Sequence, residues 1–156
     1  MPFKNLADFI DKLKKEGEIK EIIHPVSPVL EISEITDRIS KNEGPALLFT
    51  NTGTQFPLLI NAMGSERRIK LALGVEHLDD ISLEFQKLMN VLTGPKKTFW
   101  DKIQMLPRLK EISACMPKRY KGKAPCQQVV METPDLDKLP ILQCWPFDGG
   151  KFITLP

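Results

Sequence analysis

The chain has 156 residues, 42% hydrophobic and 27% charged, and a net charge of only +2. That balance fits a globular protein of one or two domains with a sizeable core. The lack of any run of eighteen apolar residues argues against a membrane-crossing helix. The opening MPFKNLADF has no apolar signal core, and Cys115, Cys126 and Cys144 show no CxxC spacing; both point to a reducing cytoplasmic setting without a disulfide frame or zinc site. All three cysteines read as buried structural thiols.

In chain order, Asn5 to Glu16 reads as an amphipathic helix with Leu6, Phe9, Ile10 and Leu13 on one face. Asn5 suits the N-cap, where its side-chain oxygen accepts from an unpaired backbone N–H, and Gly17 suits a left-handed residue beyond the C-terminus. Glu18 to Ile23 is strand-like and His24-Pro25 closes it. Pro28 to Asn42 is a second helix with Ile32, Ile35 and Ile39 inward, broken by Gly44-Pro45. Ala46 to Phe49 is apolar throughout, as strands covered on both faces are. The turn Asn51-Thr52-Gly53-Thr54 separates it from Phe56 to Asn61, and the two strands can pair as a hairpin. Ser65 caps a short helix over Glu66 to Leu73.

Leu78 to Leu92 reads as a longer helix whose broad apolar face is Leu78, Ile81, Phe85, Leu88 and Leu92. Residues 98–112 are helical again, interrupted by Pro107, which removes an amide donor. A basic stretch, residues 118–123, follows. Gln127 to Glu132 reads as a strand, Pro134 to Asp137 as a turn and a short capped helical turn, and Leu139 to Leu142 as extended chain. Cys144-Trp145-Pro146 forms a rigid corner, Asp148-Gly149-Gly150 a turn, and Lys151 to Leu155 a last strand. A closing strand with no partner leaves an unpaired edge, so the chain is expected to be the leading part of a longer protein. The division expected is an α/β (α+β) domain over 1–117, a basic linker over 118–123, and the start of a β-rich domain over 124–156.

Charge is uneven along this division. Residues 96–123 carry nine basic and two acidic side chains, while the flanking segments are both mildly acidic. With Trp100 and Tyr120 interleaved, the basic run admits a nucleic-acid reading. The plainer reading is a solvated linker and subunit-contact face that attracts anions from a distance. No nucleic-acid partner is expected, and Gly64, Gly74 and Gly94 do not form a phosphate loop. His24 and His77 lack metal-ligand spacing and read as surface or cap residues. Asp79, Asp80 and Glu84 complement a helix N-terminus. Asp135 and Asp137 read as turn and cap residues, not as a catalytic dyad. Trp145 reads as a buried core residue, with a pocket wall as the alternative. Asp148-Gly149-Gly150 reads as a simple turn, with a close backbone approach to a ligand as the alternative.

The run APCQQVV and then DLDKLPILQCWPFDGGKFIT, with EGEIKEII at residues 16–23 and Gly44 to Phe49 earlier, resembles the UbiD family of carboxy-lyases. The resemblance runs along essentially the whole chain. It implies the N-terminal portion of an enzyme that decarboxylates an aromatic acid of the 4-hydroxybenzoate type with prenylated flavin mononucleotide (prenylated FMN). A place in ubiquinone or menaquinone biosynthesis and assembly into dimers or hexamers are also implied. It further implies that 124–156 opens a split β-barrel of the flavin reductase type and that Thr154 lies on a strand beside the flavin, its hydroxyl at the ring edge. An ordinary strand threonine is the plainer reading of Thr154. In the family a divalent metal and potassium bridge the flavin phosphate. The metal ligands and the catalytic Arg and acidic residues are expected beyond Pro156, so no catalytic or metal-binding residue is assigned here, and this stretch alone is expected to hold no cofactor and to be inactive. Two other classes stay open: a non-catalytic binding or assembly module with a basic face, and a flavin reductase-like redox protein.

Overall fold

Four residues at the centre of the sheet, Ala46–Phe49 (β2), are all buried. The computed structural model describes residues 3–93 and 121–153, together with 107, 110, 113, 116, 117 and 119. β1, Ile19–Ile22, runs parallel to β2 with Ile19 opposite Ala46 and Ile22 opposite Phe49. β3, Leu58–Ile60, runs antiparallel with Leu47 opposite Ile60 and Phe49 opposite Leu58. The order is β1-β2-β3. A parallel pair needs a crossover, which the helix α2, Glu31–Lys41, supplies. An antiparallel pair needs only the turn after Phe49, and that hairpin matches expectation.

Alternation along the strands sends successive side chains to opposite faces. Ala46 joins Phe9 and Leu13 of α1 (Leu6–Lys15), with Leu71 and Ala72 of α3 (Glu66–Leu73) and Leu59 of β3 beside them. Leu47 and Phe49 join Ile32 of α2, with Ile22, Ile35, Ile39, Leu58, Ile60 and Leu142 around them. The sheet therefore has α1 and α3 on one face and α2 on the other. Each fully buried aliphatic or aromatic side chain contributes about 1.5–3 kcal/mol relative to exposure, so the four residues of β2 serve both layers at once.

The helix ends follow the predicted chemistry. Asn5 Oδ1 accepts from Asp8 N–H at 2.9 Å, and Ser65 Oγ from Arg68 N–H at 3.3 Å. Gly17 takes the left-handed φ of +69° just after α1. α2 starts at Glu31, later than Pro28, because Ser27 and Glu31 build a separate turn: Ser27 Oγ accepts from Val29 N–H at 3.1 Å and Glu31 Oε2 accepts from Ser27 N–H at 2.7 Å. Gly64 is required by a close approach. A Cβ there would lie 1.8 Å from Asn61 Oδ1, and the Asn61 amide is engaged in donating to the Gly44 and Pro45 carbonyls at 3.2 and 3.0 Å.

One buried charge ties α3 to the sheet. Arg68 is only 1% exposed. It donates to Glu18 Oε2 at 3.1 Å and to the Gly44 carbonyl at 3.0 Å, while its Nε finds no partner. Arg67 holds the other Glu18 oxygen at 3.0 Å and Glu16 at 2.9 Å. Sequence patterning marked Arg68 only as a helix residue.

The described chain forms two compact units, residues 1–74 with 133–156 and residues 75–132. The second contains the helix α4, Asp79–Thr93, where Asp80 Oδ2 accepts from His77 N–H at 3.2 Å, a cap role for that stretch. The expected burial of its apolar face is not found: Leu78, Ile81 and Phe85 are exposed, since no layer of described residues covers them. The strand expected over Gln127 to Glu132 is also absent. Pro125–Gln127 makes a 3-10 turn, Val129 and Val130 are exposed, and no described strand offers them a ladder, without which an extended segment gains nothing over solvent. Lys151 to Ile153 likewise form no strand. Of the helix expected over 98–112 only residues 107 and 110 are described, and of the 118–123 stretch residues 119 and 121–123. The capped turn near Asp135 is present, Asp135 Oδ1 accepting from Asp137 N–H at 3.1 Å ahead of the 3-10 turn Leu136–Lys138. Among the described residues no helix is long and apolar enough to cross a membrane.

Two predictions follow from the ion pairs. Arg68→Ala leaves Glu18 half-buried with only Arg67, and urea unfolding should show a loss of about 3 kcal/mol or more. Arg68→Met, which keeps the packing, should lose less, and equal losses for the two variants would contradict the pairing account. Hydrogen bonds from Lys12 and then Arg67 hold the Glu16 carboxyl below its ordinary value of 4.5. Its contribution to stability is therefore full above the ordinary carboxylate range and is lost as pH falls through the lowered folded value. An NMR titration of the Glu16 carboxyl with a midpoint at or above 4.5 would refute this.

Candidate functional site

The segment from Leu142 to Phe152 is tied back to the start of α2 by backbone bonds. Leu30 N–H donates to the Gln143 carbonyl at 3.0 Å, Gln143 N–H donates to the Pro28 carbonyl at 3.2 Å, and Phe152 N–H donates to the Leu142 carbonyl at 3.1 Å. Val29 and Gln143 make an isolated parallel bridge. Leu142 packs on Ile32, Leu47 and Phe49, so it supplies the apolar contact that holds the segment. The corner that follows is closed by one carboxylate: Asp148 Oδ2 accepts from Cys144 N–H at 3.2 Å and Trp145 N–H at 2.9 Å, and Asp148 N–H returns to the Trp145 carbonyl at 3.1 Å. Asp148-Gly149-Gly150 is thus a turn with a defined job, and Gly150 takes φ +130° there, a value side chains avoid.

Between this corner and α2 lies a groove of about 650 Å³, a volume typical of small-molecule sites. Leu30, Ser33, Glu34, Thr36, Asp37 and Ser40 line it from α2 and its entry, Ile60 from β3, and Leu142, Cys144, Trp145 and Pro146 from the corner. Residues 30, 33, 34 and 37 share one helical face. Leu30 holds a φ of +67°, a conformation costly for a branched side chain and kept only where surroundings over-determine it; here the bond to Gln143 fixes it.

Trp145 is 66% exposed, which corrects its reading as a core residue: its backbone is engaged by Asp148, leaving the indole at the groove wall. Cys126 and Cys144 are exposed thiols, not buried ones, because neither the corner nor the Pro125 turn is covered by a second layer; Cys115 lies outside the described residues. Ser33 Oγ is shielded from solvent without a hydrogen-bond partner.

The groove has a defined charge character. Its lining includes two carboxylates, Glu34 and Asp37, and no Lys, Arg or His. Arg38 bonds Glu34 Oε1 at 2.6 Å and Lys41 bonds Asp37 Oδ2 at 2.6 Å, while Glu34 Oε2 and Asp37 Oδ1 take no bond among the described residues. Thr154, the flavin-contact residue suggested by sequence, lies outside the described residues. His24 and His77 are exposed, and no three His, Cys, Asp or Glu side chains converge among the described residues. Sequence reasoning missed Ser33, Glu34 and Asp37. The signal was available as the polar stripe at helical spacing beside the apolar stripe of Ile32, Ile35 and Ile39.

Comparison with known proteins gives the family of the chain. The 3-octaprenyl-4-hydroxybenzoate carboxy-lyase N-terminal domain matches residues 10–85, and the Rift-related domain of the same enzymes matches residues 118–156. An uncharacterized protein of Archaeoglobus fulgidus is 45% identical over 157 residues, covering 100% of this chain and 31% of its own length. Another from Aquifex aeolicus is 46% identical over 155 residues, covering 97% and 32%. The chain spans about a third of the length of these curated relatives. The open form of the vanillic acid decarboxylase of Sedimentibacter hydroxybenzoicus superposes with a TM-score of 0.67 at 21% identity, over 96% of this chain and 30% of that one, a likeness of fold. With both domains matched in order along one chain, the protein belongs to the UbiD (3-octaprenyl-4-hydroxybenzoate carboxy-lyase) family, of which it represents the N-terminal portion.

Proposed function

We propose that this chain is the leading portion of a non-oxidative carboxy-lyase that removes carbon dioxide from an aromatic acid of the 4-hydroxybenzoate type. The observation that carries the reading is the ordered match of both family domains to residues 10–85 and 118–156. In this reading 1–117 form an α/β domain, 118–123 a linker, and 124–156 the opening of a split β-barrel. Departure of carbon dioxide leaves a carbanion, and no amino-acid side chain is a good electron sink for it. Prenylated FMN is the group that supplies that sink in the proposed enzyme, with Thr154 at its edge, and a role in quinone biosynthesis and a dimeric or hexameric assembly go with it.

The lining of the groove does not fit the phosphate of such a cofactor. An anionic phosphate needs cations or converging backbone donors, whereas the groove presents Glu34 and Asp37 and no base. Decarboxylation therefore is not routed through this groove. Leu142 and the Asp148 turn set where the chain leaves the sheet.

The test is a chimera in which residues 1–156 replace the matching third of the Archaeoglobus fulgidus relative, assayed with prenylated FMN and 4-hydroxybenzoate beside the parent relative and the isolated 156 residues. Carbon dioxide release by parent and chimera but not by the isolated chain is expected. In the chimera Thr154→Val should weaken flavin retention a few-fold. A folded, flavin-bearing chimera that decarboxylates no aromatic acid, beside an active parent, would contradict the proposal.

A further inference from the structure

The groove between α2 and the Trp145 corner is not explained by decarboxylation of an anionic acid, and its composition selects a different ligand. We propose that it binds a small organic cation, an ammonium group on an apolar or aromatic stem.

Three features carry this, and none depends on the decarboxylase reading. The lining is apolar where a stem would lie: Leu30, Ile60, Leu142 and Pro146. It holds the exposed Trp145, and a cation over an aromatic ring is attracted by the ring's negative face. It also holds Glu34 and Asp37, each with one carboxylate oxygen engaged by its i+4 cation and one oxygen without a bond among the described residues. Those i+4 pairs are exposed, with Arg38 and Lys41 side chains 75% and 73% accessible, and such pairs are weak. They leave the acids available to a second cation, and no basic residue of the lining competes for them. An anion entering the same space finds no basic residue in the lining.

The corner is built to hold this wall in place. Asp148 fixes the backbone of Cys144 and Trp145, and Gln143 is fixed to Pro28 and Leu30. A wall ordered before binding loses little entropy when a ligand arrives.

The experiment uses the full 156-residue chain carrying Trp100→Phe, so that one indole N–H reports, and follows that resonance by NMR. The probes are phenethylammonium, the neutral phenethyl alcohol and the anionic 3-phenylpropionate. Phenethylammonium should shift the Trp145 indole saturably with a Kd of about a millimolar, with the alcohol and the anion at least about tenfold weaker. Glu34→Gln with Asp37→Asn should weaken the cation about fivefold or more and leave the alcohol unchanged. Trp145→Phe should retain binding, read from the Ser33 and Asp37 amides, and Trp145→Leu should lose it. Equal binding of the three probes, indifference of the cation to the acid-to-amide changes, or no saturable shift at all would each overturn the proposal. Glu34, Asp37 and Trp145 are at the surface or half-buried, and unchanged amide spectra away from the groove verify that the variants fold.

Discussion

Burial of β2 on both faces is the constraint on which the rest of the structure depends. Ala46, Leu47, Leu48 and Phe49 leave no face for water, so two separate apolar layers have to form around four residues. One layer recruits α1 and α3, and the other recruits α2 and, from more than ninety positions away along the chain, Leu142. The isolated bridge between Val29 and Gln143 follows from that packing. Once Leu142 is anchored on Ile32 and Phe49, the neighbouring backbone groups lie within reach of Pro28 and Leu30.

The groove is a by-product of the same constraint. α2 must turn Ile32, Ile35 and Ile39 toward the sheet, which leaves Ser33, Glu34 and Asp37 beside the line along which Leu142 docks. The corner of Trp145 and Pro146 is bulky and is held by Asp148, so it cannot collapse onto the helix. An indole and two acids facing a cavity of this size result from where the apolar stripe points. In a family whose substrates are proposed to be aromatic acids, an acid-lined space argues for separation of roles between this surface and the place where carbon dioxide leaves.

What the sequence revealed and what it hid have physical causes. The elements of the sandwich were legible because each carries its own local signal: the period of Phe9 and Leu13, the caps Asn5 and Ser65, the apolar run of β2, and the Thr52-Gly53 turn before β3. Their edges moved by a few residues where side chains compete with the backbone, as Ser27 and Glu31 do before α2. The segments read as strands near the end were not found as strands, since an extended run such as Val129-Val130 has to be met by a partner that sequence pattern alone does not supply. Arg68 was invisible because a buried arginine is defined by Glu18 and the Gly44 carbonyl, fifty and twenty-four positions away. Trp145 was misread because aromatic size suggests burial, whereas its exposure is decided by a turn three residues later.

The docking of the 142–152 segment onto the sandwich is the claim from which the groove, its charge and its rigidity all derive. Amide hydrogen exchange at Leu30 and Gln143 tests it most directly, because each of these N–H groups is bonded only if that docking occurs. The account predicts that both exchange much more slowly than the amide of the fully exposed Phe147. Exchange of the two at the Phe147 rate, with the β2 amides still protected, would contradict it.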